Sequence, residues 1–116
     1  MDAAGRAPRI LLSTAPDRAV AERIARALVE RGLAACVNCV PSVRSVYRWK
    51  GAVEAADEVL LVLKTTAEHV AALETALSEL HPYEVPEVVA IAPERVEAKY
   101  LAWLQAETRR RDPPRG

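Results

Sequence analysis

The sequence has few of the residues that mark particular chemical classes of protein. It contains only two cysteines, Cys36 and Cys39, and four glycines that are scattered along the chain. Two cysteines are too few for a disulfide framework and are consistent with a reducing compartment. Four dispersed glycines exclude a glycine-rich loop of the kind that cradles phosphate groups.

The chain also lacks an excess of charge and a long apolar segment. Sixteen basic residues balance sixteen acidic ones, so there is no basic field to attract nucleic acid, and we expect no nucleic-acid partner. No apolar run approaches the ~20 residues that cross a bilayer. The first eight residues lack the apolar stretch of a signal peptide. We therefore expect a cytoplasmic protein that does not associate with membranes.

Catalytic signatures are absent as well. The sequence contains no nucleophile elbow and no H-E-x-x-H motif. Ser13 and Thr14 have no histidine near them in sequence to act as a base. Asp57 and Glu58 are adjacent, so they lie on opposite faces of a predicted strand and do not form a catalytic carboxylate pair. We predict that the protein is not an enzyme.

What the sequence does contain is apolar segments with the periodicities of strands and helices. Short apolar or alternating runs predict strands, and apolar residues at helical spacing predict amphipathic helices. Asp17 is a candidate N-cap of the first helix, and Gly32 can adopt the left-handed conformation that ends it. Thr65 and Glu68 fit a capping box for a second helix that starts at Thr65 or Thr66. The predicted strands cover residues 10–12, 34–40 with an alternating extension over 43–50, 59–63 and 88–91.

The predicted order of elements is βαββαβ followed by an extra C-terminal helix. This is the split βαβ pattern of a ferredoxin-like α+β domain. The second and third strands are too close in sequence for a crossover helix, so they should form a long antiparallel hairpin. We expect a domain over residues 9–108, a flexible N-terminus over residues 1–8 and a disordered tail over residues 109–116.

The second half of the hairpin presents two aromatic side chains on one face. Tyr47 and Trp49 are two positions apart in a predicted strand, so they point the same way. In a monomer the extension would expose aromatic rings and a strand edge, which pairing with another subunit would cover. We predict that Tyr47 and Trp49 lie in a subunit interface; an ordinary exposed hairpin is the alternative.

A set of short segments lies in a fixed order along the chain: residues 14–17, 33–38, 45–51, 58–65, 81–83, 86–87 and 100–103. Taken together, from about Ile10 to Leu104, they resemble the CutA family of divalent-cation tolerance proteins. The resemblance implies a PII-like homotrimer whose hairpins join the sheets of neighbouring subunits. It also implies a role in tolerance of divalent metals, chiefly copper.

His81 and Cys36 are the candidate metal ligands, for copper or another divalent cation bound weakly; Cys36 is suggested by the C-x-x-C that it forms with Cys39, and His81 by the resemblance. The family site it implies uses a cysteine and a histidine pair at positions that are Ser13, Leu80 and His81 here. Cys36 and Cys39 are three residues apart in a strand and point to opposite faces, which disfavours joint chelation. Cys36 as a small buried residue and His81 as a helix C-cap are the structural alternatives. His69 is expected to be solvated.

Polar and amphipathic residues within the same segments are candidates for a ligand cleft between subunits. Ion pairing and trimer packing are the alternative roles for each of them. Two further functions therefore stay open beside metal tolerance: a PII-like module that holds a small anionic ligand, and a structural or interaction trimer. The candidate cleft residues are Lys64, Glu58, Glu87, Tyr83 and Trp49.

Overall fold

The computed structural model describes residues 4–110 as one antiparallel four-stranded sheet with three α-helices. The strand order is β2-β3-β1-β4, which confirms the predicted ferredoxin-like α+β fold. A 3₁₀ turn, Ala67–His69, precedes the second helix. The elements are β1 Pro8–Ala15, α1 Arg18–Glu30, β2 Cys36–Trp49, β3 Ala52–Thr66, α2 Val70–Leu80, β4 Val89–Ile91 and α3 Ala98–Glu107.

The main core lies between one face of the sheet and the helices α1 and α2. Alternate residues of β1 and β3 are buried there, because successive strand side chains point to opposite faces. Each leucine in this core contributes about 1.5–3 kcal/mol by leaving water. The largest fully buried side chains of the core are Leu11, Ile24, Leu28, Leu61, Leu63, Leu73 and Leu77.

Both predicted end signals of α1 are confirmed. The Asp17 carboxylate accepts a hydrogen bond from the Val20 backbone N–H at 2.9 Å, which satisfies one of the free donors at the helix start. After the helix ends, Gly32 has a φ of +69°, a conformation that glycine adopts without steric cost.

The capping box predicted at the start of the second helix is not formed, although Thr66 directly precedes the 3₁₀ turn that leads into α2. Thr65 and Thr66 belong to β3, where they pair with Arg9 and Pro8 of β1. The Thr65 hydroxyl donates to the Leu33 carbonyl at 2.7 Å instead of capping a helix. Sheet pairing across β1 therefore overrides the local capping signal, and α2 begins only at Val70.

In the hairpin formed by β2 and β3, β2 lies within the predicted residues, whereas β3 is much longer than the predicted strand over residues 59–63. The two-residue turn of the hairpin consists of Lys50 and Gly51, which both have positive φ values of 48° and 82°. Such a turn twists in the same sense as the strands it joins. It places Trp49 directly opposite Ala52 and sets the register of the whole hairpin.

The N-terminal end of the described chain is hydrogen-bonded to the segment that follows β3. In the segment predicted to be flexible, the Ala7 and Gly5 carbonyls accept hydrogen bonds from the backbone N–H groups of Ala67 and Glu68. Of the predicted tail, residues 109–116, the part from residue 111 onward lies outside the described residues. Within residues 4–110, no helix combines the length and apolar character needed to cross a membrane.

His69 is buried rather than solvated as the sequence suggested. Only 9% of the residue is exposed, and its Nδ1 atom lies 2.8 Å from the Thr66 hydroxyl. Burial lowers the pKa of His69; Glu68 opposes this shift, whereas Arg6 and Arg110 add to it. The neutral ring is thus the form that the folded protein favours.

The lowered pKa of His69 predicts a loss of stability in mild acid. In the unfolded chain the ring takes up a proton as the pH falls through about 6.5, whereas the folded protein resists protonation until lower pH. The contribution of neutral His69 to the free energy of unfolding is therefore complete above pH 6.5, and it is lost as the pH falls through the pKa of His69 in the folded protein. Urea denaturation between pH 7.5 and 5 should show a shallower loss for His69→Gln than for the unmodified protein; parallel pH profiles would contradict this.

Candidate functional site: an acidic cavity beside the hairpin

A cavity of about 680 Å³ lies between the hairpin and the segment that connects α2 to β4. Its size is typical of small-molecule sites. Three aromatic side chains, Tyr47, Trp49 and Tyr83, form part of its wall, and no Lys, Arg or His of residues 4–110 lines it. The four carboxylates that line it are Glu54, Glu58, Glu84 and Glu87.

A β-bulge in β2 decides which hairpin residues reach this cavity. Val40 pairs with Leu60 but Val43 pairs with Glu58, so β2 contains one residue more than β3 at this point. Ser42 has a φ of 63° there. Because side chains alternate between faces, one extra residue reverses the faces for the rest of the strand. Tyr47 therefore shares the face that carries Glu58.

Within the cavity, the Tyr83 hydroxyl donates a hydrogen bond to Glu58 Oε2 at 2.8 Å. Glu58 is only 9% exposed. Burial raises the pKa of Tyr83 far above its ordinary value, and the bond to Glu58 adds to the shift. The phenol therefore stays protonated throughout the physiological range and remains a donor to the carboxylate.

This bond predicts a specific loss of stability in Tyr83→Phe. The change would leave the buried Glu58 oxygen without its donor, which costs about 1–3 kcal/mol. The double variant Tyr83→Phe/Glu58→Gln should recover part of that loss, because a neutral amide is less costly to leave unpaired. Denaturant unfolding of the two single variants and the double variant measures the coupling; strictly additive losses would argue against the bond.

His81, a predicted metal ligand, is engaged through both ring nitrogens. Its Nδ1 atom accepts from the Tyr83 backbone N–H at 3.1 Å, so the proton of the neutral ring is on Nε2. That Nε2–H then donates to the Thr14 carbonyl at 2.7 Å. The ring is 8% exposed and packs against the Tyr83 ring, with centroids 4.6 Å apart. His81 thereby holds the cavity segment against the end of β1.

Cys36, the other predicted ligand, lies in a different part of the sheet. Cys36 on β2 pairs with Lys64 on β3, and Lys64 in turn pairs with Ile10 on β1. His81 contacts the carbonyl of Thr14, which lies four residues further along β1 than Ile10. Four strand residues span about 13 Å. One subunit therefore does not bring Cys36 and His81 together.

The two cysteines also face opposite sides of the sheet, as predicted. Cys39 pairs with the buried Leu61, and burial, with smaller effects of Glu22 and Cys36, raises the pKa of its thiol. Among residues 4–110, no three His, Cys, Asp or Glu side chains are arranged to hold a metal ion.

The two positions where the resemblance implies further ligands are occupied by core residues. Ser13 is fully buried, and its hydroxyl has no hydrogen-bond partner in the part of the chain that the structure describes. Leu80 packs against the main core. Packing thus accounts for Leu80, whereas the buried Ser13 hydroxyl has no partner among the described residues.

Four of the five predicted cleft residues converge on the cavity. Glu58, Glu87, Tyr83 and Trp49 all line it, whereas Lys64 does not and lies beside Asn38, with which it forms a hydrogen bond.

Sequence reasoning missed Glu54 and Glu84. Glu54 could have been found from the two-residue turn, since that turn places it opposite Tyr47. Glu84 lies in an irregular segment with no periodicity to reveal it.

The strand order and the long hairpin define this chain as a ferredoxin-like protein with an acidic cavity beside the hairpin. Comparison with protein families gives a specific assignment. The family described as CutA1 divalent ion tolerance protein matches residues 9–107. The chain therefore belongs to the CutA1 family, which confirms the resemblance found in the sequence.

Individual relatives agree with this assignment. The divalent-cation tolerance protein CutA of Thermus thermophilus is 46% identical over 99 residues, which cover 85% of this chain and 96% of the relative. Human protein CutA is 46% identical over 82% of this chain, but the match spans only 53% of the human protein. The chain thus spans about half the length of some curated relatives that it matches.

A solved structure confirms the fold independently of the sequence pattern. CutA from Xylella fastidiosa superposes with a TM-score of 0.86 at 42% identity, and the match covers 88% of this chain and 98% of that one. The names of these proteins refer to CutA or to tolerance of divalent cations rather than to a reaction.

Proposed function

We propose that this protein is a cytoplasmic homotrimer that acts in divalent-cation tolerance and binds cations in the acidic cavity. The carboxylate lining of the cavity, with no basic side chain from residues 4–110, carries this proposal. Clefts lined by charges of one sign concentrate counter-ions. The negative electrostatic field of the cavity carboxylates favours a cation over the small anion of a PII-like module. The two free cysteines support the cytoplasmic location, because thiols stay reduced there.

Direct metal binding in the cavity should be weak. Carboxylate oxygens suit Mn²⁺, Mg²⁺ and Ca²⁺ more than copper. In the described residues the carboxylates are too dispersed to form one compact metal centre. Binding therefore depends on the summed field of several charges, and we expect it to fall steeply with added salt.

Paramagnetic Mn²⁺ provides the test of this site. In an NMR titration at low salt, the amide signals of residues 54–58 and 83–87 should broaden first. Replacing both Glu54 and Glu87 by Gln should weaken binding about tenfold, which corresponds to about 1.4 kcal/mol.

Two variants serve as controls for the titration. Glu74→Gln removes one exposed charge from α2, outside the cavity, and Cys36→Ser removes the predicted thiol ligand. Both should bind Mn²⁺ as the unmodified protein does. Broadening centred on Cys36, or an affinity that ignores the cavity carboxylates, would contradict the proposal.

The trimer is supported by the exposed edge of the sheet. β2 is an edge strand, and the hairpin exposes 42% of Tyr47 and 38% of Trp49, together with Val46 and Val53 at more than 60%. An apolar, unpaired edge of this kind is usually covered by another chain. A neighbouring subunit on this edge would also close the open side of the cavity.

Light scattering tests the assembly. The unmodified protein, with a chain mass of 12.7 kDa, should have three times that mass at micromolar concentration. Tyr47→Ala should shift the mass towards the monomer. Val29→Ala, which removes a side chain of similar exposure from α1, should not. A monomeric unmodified protein would overturn the trimer.

A further inference from the structure

The charges of the acidic cavity are distributed rather than gathered at one point. Four glutamates line a volume of about 680 Å³, yet across residues 4–110 no three acidic, His or Cys side chains converge as metal ligands do. A compact ion would satisfy only part of this charge. An elongated ligand with several positive charges could contact carboxylates at separate places on the wall.

The aromatic part of the wall adds a second recognition element. The Lys50 ammonium already lies 5.6 Å from the centre of the Trp49 ring, within the range where an aromatic face attracts a cation. Tyr47 and Tyr83 line the same cavity, and Val85 and Pro82 add apolar surface. Aromatic and aliphatic surface suits a hydrocarbon chain between charged ends, and a hydrated metal ion gains nothing from it.

Glu58 provides an anchor for one charged end. Its Oε2 atom accepts from Tyr83, and its Oε1 atom receives no hydrogen bond from any described residue. Because Glu58 is only 9% exposed, a charge-assisted hydrogen bond to Oε1 is stronger there than at a solvated carboxylate. An ammonium group carries three donors, one of which can use this oxygen.

We infer that the cavity selects an aliphatic diamine or polyamine, protonated at both ends, over a simple metal ion. One ammonium group binds Glu58, the methylene chain lies along the aromatic wall, and further ammonium groups pair with the carboxylates of Glu54, Glu84 or Glu87. The inference rests on the proposed cation-binding role of the cavity and specifies the class of its ligand.

Calorimetric titration at fixed ionic strength tests the ligand class with three probes. The triamine spermidine and the diamine 1,4-diaminobutane should each bind at least tenfold more tightly than the monoamine 1-aminobutane. Spermidine should also displace Mn²⁺ from the cavity, seen as recovery of the broadened amide signals. Equal affinities of the diamine and the monoamine would overturn the inference.

Matched variants locate the binding. Glu58→Gln should weaken 1,4-diaminobutane binding at least tenfold, and Trp49→Ala should reduce the preference for the diamine over the monoamine. If Glu58→Gln does not fold, Glu84→Gln, in the exposed segment, tests the same wall and should weaken spermidine binding several-fold. Glu74→Gln is the control for loss of one charge and should bind both amines normally. Diamine binding unchanged in the cavity variants would place it elsewhere and overturn the inference.

The two proposals fail in different ways. Mn²⁺ broadening at residues 54–58 that spermidine does not reverse would leave the cation site standing and reject the amine as its ligand. Absence of both Mn²⁺ and amine binding would reject the cation-binding role and the inference together.

Discussion

Gly32→Ala should lower the free energy of unfolding by at least about 3 kcal/mol. Two effects add at this position. The φ of +69° costs a residue with a Cβ about 1–2 kcal/mol. In addition, a Cβ built on Gly32 would lie 1.6 Å from the Arg109 carbonyl oxygen, so the backbone that follows α3 would have to move. The displaced segment includes Thr108, which is fully buried.

Gly51→Ala is the matched control for this prediction. Gly51 has a φ of +82°, but a Cβ there would meet no atom within 4 Å. The change should therefore cost only the conformational strain, about 1–2 kcal/mol. Urea denaturation of both variants measures the difference, and hydrogen exchange should rise at residues 107–110 only in Gly32→Ala. Equal losses in the two variants would show that the contact with Arg109 contributes nothing to stability.

His81→Ala should cost about 2–4 kcal/mol and loosen the cavity without any metal present. The substitution leaves the Thr14 carbonyl and the Tyr83 N–H without their partner. It also removes the ring that packs against Tyr83. We therefore expect faster hydrogen exchange over residues 82–88 in metal-free protein, and weaker cation binding as a consequence.

This result would separate a positioning role of His81 from a ligand role. A histidine that served only to bind metal would leave the stability and the hydrogen exchange of metal-free protein unchanged when replaced. Cys36→Ser provides the comparison, because Cys36 is only partly buried and its sulfur lies 3.8 Å from the side-chain oxygen of Asn38, away from the cavity segment. Normal exchange over residues 82–88 in His81→Ala would contradict the positioning role.

Local sequence signals were reliable where the interactions that decide them are also local. The Asp17 cap and the end of α1 at Gly32 depend on a few neighbouring residues and were predicted correctly. The Thr65–Glu68 capping box was a local signal too, but it was wrong. There the pairing of Thr65 and Thr66 with β1 provides a competing set of hydrogen bonds.

The candidate site was predictable only in part. Trp49, Glu58, Tyr83 and Glu87 were identified from the segments that carry the family resemblance, and the structure brings all four to one cavity. Their shared location depends on the bulge between Val40 and Val43 and on the His81 contacts with β1. The alternation of polar and apolar residues along β2 does not reveal the one extra residue of the bulge. The extra residue changes which side chains share a face only relative to the partner strand β3.

The amino-acid sequence by itself determined the order of the elements, the apolar faces that form the core and the family of the protein. These features follow from periodicity, turn residues and short motifs, which act within a few residues. Only the tertiary structure decided that His81 is occupied, that Cys36 lies apart from it and that four glutamates surround one cavity. Those relations join residues up to 67 positions apart in the chain, and strand pairing and packing create them.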